Sequence, residues 1–354
     1  MRHDLVVAGA GMAGLAAAAH ATQRGASVLL LEKGDRPGGS MLLSSGVVWR
    51  HREFDDFRRE CPGGDPALQR AVFERLDSDL AWMESLGAQP LQRETGNPLT
   101  SGARFDTRQL AAALVRAAGV GVQLGRPLEE LPRDAPVVLA SGGFHAAPEL
   151  IARHITPRAG ELMLRGAPWS TGDGLRLALA AGGAQSEGMD EFYGRNMPAP
   201  PARVAEADFV RLAQLYATHA TVRNRGGETY RPHTWSEIDV VQWTARQPAA
   251  RAWYEVTAEQ REVRVRDRTV GEMIDAGLAA GAPGDRRGGI TRIEVVAGIT
   301  TTLGGLRIDT RAQVAPGVYA AGADAGGIAT GGYASGLAAA LVFGRIAAES
   351  ALSQ

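Results

Sequence analysis

The first stretch of the chain sets apolar runs against glycine. His3 to Ala8 is a run that reads as a buried parallel strand. It meets Gly9-Ala10-Gly11-Met12-Ala13-Gly14 and then an alanine-rich segment, Leu15 to Arg24, that predicts a helix. A second apolar run, Ser27 to Leu31, stops on Glu32. Further along, Leu68, Val72, Phe73, Leu76, Leu80 and Met83 fall on one face of a helix predicted over 66–86. Thr107 to Ala118 predicts another helix, with Asp106 as its cap. Val120 to Leu124 and Pro136 to Ala140 read as short buried strands, Thr171-Gly172-Asp173-Gly174 opens a helix over 175–181, and a C-terminal helix is expected over 338–352.

The opening is a βαβ unit with its glycines and its acid in register. Gly9 lets the chain turn off the strand. Gly11, with no Cβ, lets backbone approach a pyrophosphate. Gly14 lets the helix pack on the sheet. The helix N-terminus, with roughly half a positive charge, then faces the phosphates. Glu32, 18 residues after Gly14, is placed to accept both hydroxyls of an adenosine ribose, and its charge disfavours a 2′-phosphate. A second strand-and-glycine segment, Val318 to Asp324, precedes Gly331-Gly332-Tyr333-Ala334-Ser335-Gly336 and the last helix. Two such sites at opposite ends of the chain fit a two-part cofactor, whereas NAD alone needs only the first.

The 354 residues suffice for two domains, and a net charge of −1 offers no global field for nucleic acid or acidic membranes. Cys61 is the only cysteine, so an internal disulfide and a Cys/His metal cluster are excluded, and no metal site is expected. The beginning lacks a signal-peptide pattern, and a cytoplasmic protein without a transmembrane segment is expected. Composition shifts after residue 186. Residues 187–297 hold most of the Trp and Tyr, and 258–268 is a charged stretch expected to be a solvated helix face. The expected organisation is a split domain, 1–186 and 298–354, with 187–297 inserted.

The segments GAGMAGLAAAA, LLLEKGDRPGGSMLLSSG, VVLASGGF, STGDGLRLALAAGGA, TTLGGLRIDTRAQV and GVYAAGADAGG with GGYASGLAAALVFGRIA resemble the FAD-binding family of fumarate reductase and succinate dehydrogenase flavoproteins, which includes 3-ketosteroid dehydrogenases. The resemblance implies an α/β, Rossmann-like split FAD-binding domain with an inserted, smaller α+β cap, and substrate held at the flavin between them. It places Gly9, Gly11, Ala13, Gly14, Glu32 and Lys33 at the adenosine end. Gly39, Ser40, Ser45 and Gly46 fall near pyrophosphate and isoalloxazine, Val122 at the adenine, Ser141 and Gly142 in the GGF turn, Gly322 and Asp324 at the ribityl chain, and Ser335, Gly336 and Leu337 at flavin O2. The loop 40–46 has no His, so FAD is expected to be noncovalent.

The chain departs from the dicarboxylate reductases. Thr300 and Thr301 stand where they carry a His, and Tyr333 where they carry an Arg in the final glycine segment. Two carboxylates without cationic partners would suffer a desolvation cost of several kcal/mol. The late Tyr333 is similar to that of the ketosteroid dehydrogenases, where a phenol can donate to a ketone oxygen. The leading expectation is therefore dehydrogenation or reduction of a C–C bond adjacent to a carbonyl in a ketosteroid- or enone-like substrate, by hydride transfer at flavin N5. Tyr333, Tyr193 and His233 are the candidate catalytic residues, with Tyr230 weighed beside them. Trp235, Trp243, Trp253, Phe192 and Tyr193 favour an apolar substrate. The alternatives are a dicarboxylate or amino-acid oxidoreductase with Arg195, Arg231 or Arg251 as anion clamps, or a protein with structural FAD. Electrons are expected to pass to a separate carrier or to oxygen.

Overall fold

A computed structural model describes residues 3–232 and 238–353. The chain forms two compact units. The first gathers residues 1–147, 166–191 and 301–354, and the second gathers 148–165 and 192–300. The sequence reading had instead kept 148–165 with the first unit and cut at 186/187 and 297/298.

The first unit is built on a six-stranded sheet: β1 (Leu5–Ala8), β2 (Val28–Leu31), β3 (Val122–Gln123), β4 (Val137–Leu139), β5 (Gln313–Ala315) and β6 (Val318–Ala320). Its order is β5-β6-β4-β1-β2-β3, all parallel except the β5–β6 pair. Val6 pairs with both Leu29 and Val137, so β1 lies between β2 and β4. All four of its residues are buried, as expected where both faces of a parallel sheet are covered.

Five helices matter here: α1 (Met12–Gln23), α2 (Pro66–Ser85), α3 (Thr107–Ala118), α4 (Asp173–Ala180) and α5 (Gly336–Ala351). Helix α1 is buried from Met12 to Ala21, which explains its alanines: only small side chains let a helix covered all round pack closely. At Gly344 of α5 an added Cβ would overlap the carbonyl oxygen of Ala13, so backbone meets backbone there. The Asp65 carboxylate accepts from Ala67 and Leu68 N–H with Pro66 at the first helical position of α2, and Asp106 accepts from Arg108 and Gln109 N–H. Gly119, at φ +63°, ends α3.

A buried ionic network ties α1, α2 and α5. Asp79 is fully buried and accepts from Arg345. Arg75 grips Glu349 through two hydrogen bonds of 2.8 Å, and Arg345 donates to His20 Nδ1 at 3.3 Å. Burial pushes the Asp79 carboxyl up to about 6, against the pull of Arg345 and Arg75.

The second unit carries an antiparallel sheet of Thr221–Arg223, Arg251–Thr257, Ile290–Thr302 and Gly284–Arg287. Met163–Leu164 and Phe192–Pro198 also pair with the long strand. Its core is Tyr216, Tyr254, Ile274, Ile293 and Val295, with Trp243 packed against it. Phe192 is buried, and the Arg292 guanidinium lies 4.7 Å from the Trp253 ring centroid. The described aromatics expected to meet an apolar substrate are thus largely engaged within the unit. The charged stretch 258–268 is not one helix. It is a single turn, Ala258–Arg261, followed by the hairpin strands Arg264–Val265 and Arg268–Thr269. Among the described residues no helix is long and apolar enough to cross a membrane.

Removing one partner of a buried pair leaves the other charge unpaired. Arg345→Met is expected to cost about 3–5 kcal/mol in urea unfolding. Arg345→Met with Asp79→Leu is expected to recover much of that loss. A single variant as stable as the parent would show that the network does not fix these helices.

Candidate functional site

The cradle is built at the carboxyl ends of β1, β2 and β4. Gly9 has φ +110°, and a Cβ there would overlap the Ala140 carbonyl oxygen. A Cβ on Gly14 would overlap the Gly9 carbonyl oxygen. Both glycines are demanded by the protein's own packing. Gly11 differs: its φ of −78° suits any residue, and a Cβ there would meet nothing within 4 Å. The space in front of Gly11, at the N-terminus of α1, is where a pyrophosphate would be accepted.

Glu32 is 3% exposed, and its carboxylate is already oriented. Oε2 accepts from Ala10 N–H and Oε1 from Gly34 N–H, each at 2.7 Å. A carboxylate oxygen has two lone pairs, so each keeps one for a ribose hydroxyl. Lys33 Nζ donates to Thr171 Oγ1 at 2.6 Å and to Asp173 Oδ2 at 2.8 Å, so it joins two segments of the first unit. Glu32, Lys33 and Asp173 line one cleft.

Gly39 packs on Gly11, with a Cβ there 3.4 Å from the Gly11 Cα. Ser40 Oγ accepts from Ala167 N–H at 2.9 Å, Arg104 Nε donates to the Ser45 carbonyl at 3.3 Å, and Gly46 turns at φ +71°. The expected loop 40–46 is in fact largely a short helical turn, Gly39–Leu43, and the strand Val47–His51 follows it. At the other end of the chain, Gly322 lies against the Ala13 methyl, a Cβ there being 3.1 Å away. Ser335 Oγ caps α5 by accepting from Ala338 N–H at 3.3 Å, and Gly336 and Leu337 form the first turn. A Cβ on Gly336 would meet nothing within 4 Å, as at Gly11.

Asp324 holds the chain ends in register. It is fully buried and accepts from Ser141 N–H, from Ser141 Oγ–H and, at 3.1 Å, from Gly143 N–H. Burial raises its carboxyl above the ordinary range, opposed by the Ser141 and Gly143 hydrogen bonds. Its carboxylate therefore closes the Ser141-Gly142-Gly143 turn. Val122 is half-buried in edge strand β3, paired with Leu30, and does not line the cleft; Arg126, Pro127 and Leu128 do.

Tyr333 is half-buried, with its ring 5.3 Å from that of Trp49 in an edge-on pair. Its loop is held against residues 61–65: Gly63 N–H donates to the Thr330 carbonyl at 3.1 Å, and Asp65 N–H to the Gly327 carbonyl at 2.8 Å. Cys61 is buried and its thiol is pushed up to about 12, an inert packing residue.

In the second unit, Arg195 and Asn196 lie buried on the strand Phe192–Pro198. Asn196 donates to Thr244 Oγ1 and to Tyr254 Oη, each at 2.9 Å, a structural role. Tyr230 donates to Asp239 and belongs to the core. His233 and Trp235 lie outside the described residues. Tyr193 is half-buried, with the Arg195 guanidinium 5.2 Å from its ring centroid.

The sequence reading missed Arg165. It is 6% exposed, and it donates from Nη1 to Thr300 Oγ1 and from Nη2 to the Phe209 carbonyl, both at 2.9 Å. Its Nε–H has no acceptor, and among the described residues it makes no ion pair. Burial pushes this guanidinium down to about 10, with Arg195 adding charge of the same sign. At Gly298 a Cβ would lie 2.5 Å from the Arg165 Cδ, so the glycine makes room for the cation. No motif marks Arg165; a signal would have been an arginine in an otherwise apolar run close before Thr171-Gly172-Asp173-Gly174.

The family model for the FAD binding domain matches residues 99–337, and that for FAD dependent oxidoreductases matches residues 4–146. The fumarate reductase (cytochrome) of Shewanella frigidimarina is 25% identical over 439 residues, covering 98% of this chain and 76% of that protein. The vinyl phenol reductase of Lactiplantibacillus plantarum is 26% identical over 271 residues, covering 62% of this chain and 53% of that protein. The open conformation of a flavocytochrome c3 fumarate reductase has a TM-score of 0.74 at 21% identity, covering 99% of this chain and 78% of that one. The 3-ketosteroid Δ1-dehydrogenase of Sterolibacterium denitrificans has a TM-score of 0.74 at 16% identity, covering 99% of each chain. These two structures show the fold.

Two expectations follow. Gly11→Ala should leave the thermal midpoint of the FAD-free protein nearly unchanged while weakening FAD binding at least tenfold; Gly14→Ala should destabilise the protein itself. Equal effects of the two on stability would remove the distinction. His145, buried beside the GGF turn, is pushed down to about 4 by that burial. A depressed histidine stays neutral in the fold while the unfolded chain takes up a proton, so stability is lost as pH falls from about 6.5 to about 4. Urea midpoints measured across that window should fall less steeply in His145→Gln than in the parent.

Proposed function

The chain belongs to the FAD binding domain family and is an FAD-dependent oxidoreductase acting on C–C bonds; from that premise we propose that its substrate carries a carboxylate next to the reacting bond. The observation that supports this most is Arg165. A buried cation without a counter-charge is penalised by several kcal/mol, and a site that tolerates it gains when an anion arrives. The desolvation argument used above against dicarboxylates thus reverses, because cationic partners are present: Arg165 and Arg195, neither of them marked by a sequence motif.

Bound FAD supplies the hydride acceptor or donor for the C–C bond. Arg165 binds the carboxylate and stabilises negative charge that grows on it as the neighbouring C–H loses its proton. Thr300 and the Phe209 carbonyl hold the guanidinium in one orientation. Tyr193, beside Arg195, is the side chain we assign to proton transfer at that carbon. Gly11 and Glu32 would hold the adenosine diphosphate end of the cofactor, on a turn that Gly9 and Gly14 shape, and the first turn of α5 would offset negative charge on the flavin ring.

A second reading keeps a ketone or enone as substrate, with Tyr333 as the donor to its oxygen; the half-burial of that side chain in a glycine-bounded loop favours it. The two separate by experiment. Chemically reduced protein is mixed anaerobically with unsaturated carboxylates, fumarate included, and with neutral cyclic enones. The carboxylate reading expects rapid flavin reoxidation by an acid. It also expects Arg165→Gln to lower kcat/KM about 100-fold or more with FAD content intact, in line with the 2–5 kcal/mol lost when one side of a buried charge pair is removed. Reoxidation by enones alone, slowed by Tyr333→Phe and not by Arg165→Gln, would replace it with the second reading.

A further inference from the structure

The cleft beside Glu32 is also lined by Trp169 and by Arg126, Pro127 and Leu128. Trp169 is half-buried and lines that cleft together with Glu32, Lys33, Arg126 and Leu128. Its indole rests on Gly34, where a Cβ would overlap the ring. Gly34 is also the residue whose N–H donates to Glu32 Oε1. One glycine thus fixes both the carboxylate expected to meet the ribose and the aromatic ring beside it. Lys33 ties the same two segments together through Thr171 and Asp173. The spacing of residues 32–34 and 169–173 is therefore held by the Lys33 bonds to Thr171 and Asp173 and by the close contact of Trp169 with Gly34. Arg126 is anchored by its N–H, which donates to the Glu32 carbonyl at 2.9 Å, while its side chain is exposed at the cleft.

We propose that Trp169, with Arg126, forms the adenine subsite and makes the chain select FAD over flavins that lack adenosine. The glycosidic bond joins the base to the carbon next to the ribose 2′-hydroxyl. A ribose held by Glu32 therefore brings the base into this same cleft. A base offers two apolar π-faces, which stack on an indole whatever the ring substituents. A guanidinium adds attraction to such a face. Nothing in this assignment depends on the substrate.

The full chain, freed of FAD, is titrated with ADP, FAD and FMN by calorimetry and by tryptophan fluorescence. Stacking of a base on an aromatic side chain corresponds to roughly a 5- to 150-fold change in affinity on alanine substitution. Trp169→Ala is expected to weaken ADP and FAD within that range and to leave FMN unchanged. Trp169→Phe should keep ADP affinity within about threefold and abolish most of the fluorescence quenching that ADP causes in the parent. The Phe variant supplies the decisive reading if the Ala variant fails to fold. The proposal is overturned if ADP binds Trp169→Ala as tightly as the parent, or if quenching by ADP persists undiminished in Trp169→Phe. It is overturned equally if ADP and FMN weaken together. A parent that binds neither ADP nor FAD would instead defeat the cofactor assignment itself.

Discussion

The Asp324 carboxylate is the constraint from which the first unit's site is assembled. It is fully buried, and its hydrogen-bond partners come from a turn 183 residues earlier in the chain. Left unsatisfied there it would cost far more than an ordinary hydrogen bond returns, so the turn and the carboxylate come as a set. Ser141 passes the constraint on, because its Oγ accepts from Gly174 N–H at 3.1 Å. That bond draws in the first turn of α4 until a Cβ at 174 would lie 2.9 Å from the Asp324 carboxyl carbon. With α4 so placed, Thr171 and Asp173 meet Lys33, and Lys33 follows Glu32. A single buried acid near the end of the chain thereby helps set the position of the acid near its beginning.

The parts of this arrangement that were legible in the sequence are those with local causes. The turn at Gly9, the close packing at Gly14, and the caps Asp65 and Asp106 follow from backbone conformation and nearby N–H groups, and a linear reading finds them. The helices over 66–85 and 107–118 follow from the spacing of their apolar residues. What escaped has distant causes. Nothing near Asp324 announces that its acceptors will be used by Ser141 and Gly143. The stretch 258–268 looked helical from charge density, but Arg264–Thr269 folds back as a hairpin, and Arg266 there sits at φ +59°. Aromatic density in the middle of the chain suggested a substrate wall. Trp243 instead packs against the core of the second unit and Phe192 is buried, because a small unit needs large side chains to fill its core.

Arg165 stands apart from the way this protein otherwise treats buried charge. In the second unit, Glu294 is 2% exposed and is met by Arg225 at 2.9 Å and Arg251 at 3.1 Å. In the first unit, Asp79 is met by Arg345, and Glu349 by Arg75. Each of these carboxylates carries its compensation within the fold. Arg165 has a hydroxyl and a carbonyl in place of a carboxylate, an Nε–H without an acceptor, and a neighbouring charge of its own sign. Methionine would fill much the same volume without the desolvation penalty, so packing alone does not account for a guanidinium here. Positions that break a rule followed elsewhere in the same molecule are where function is expected to outweigh stability. A counter-charge missing among the described residues is then the property to be explained, and the carboxylate substrate proposed above would supply it.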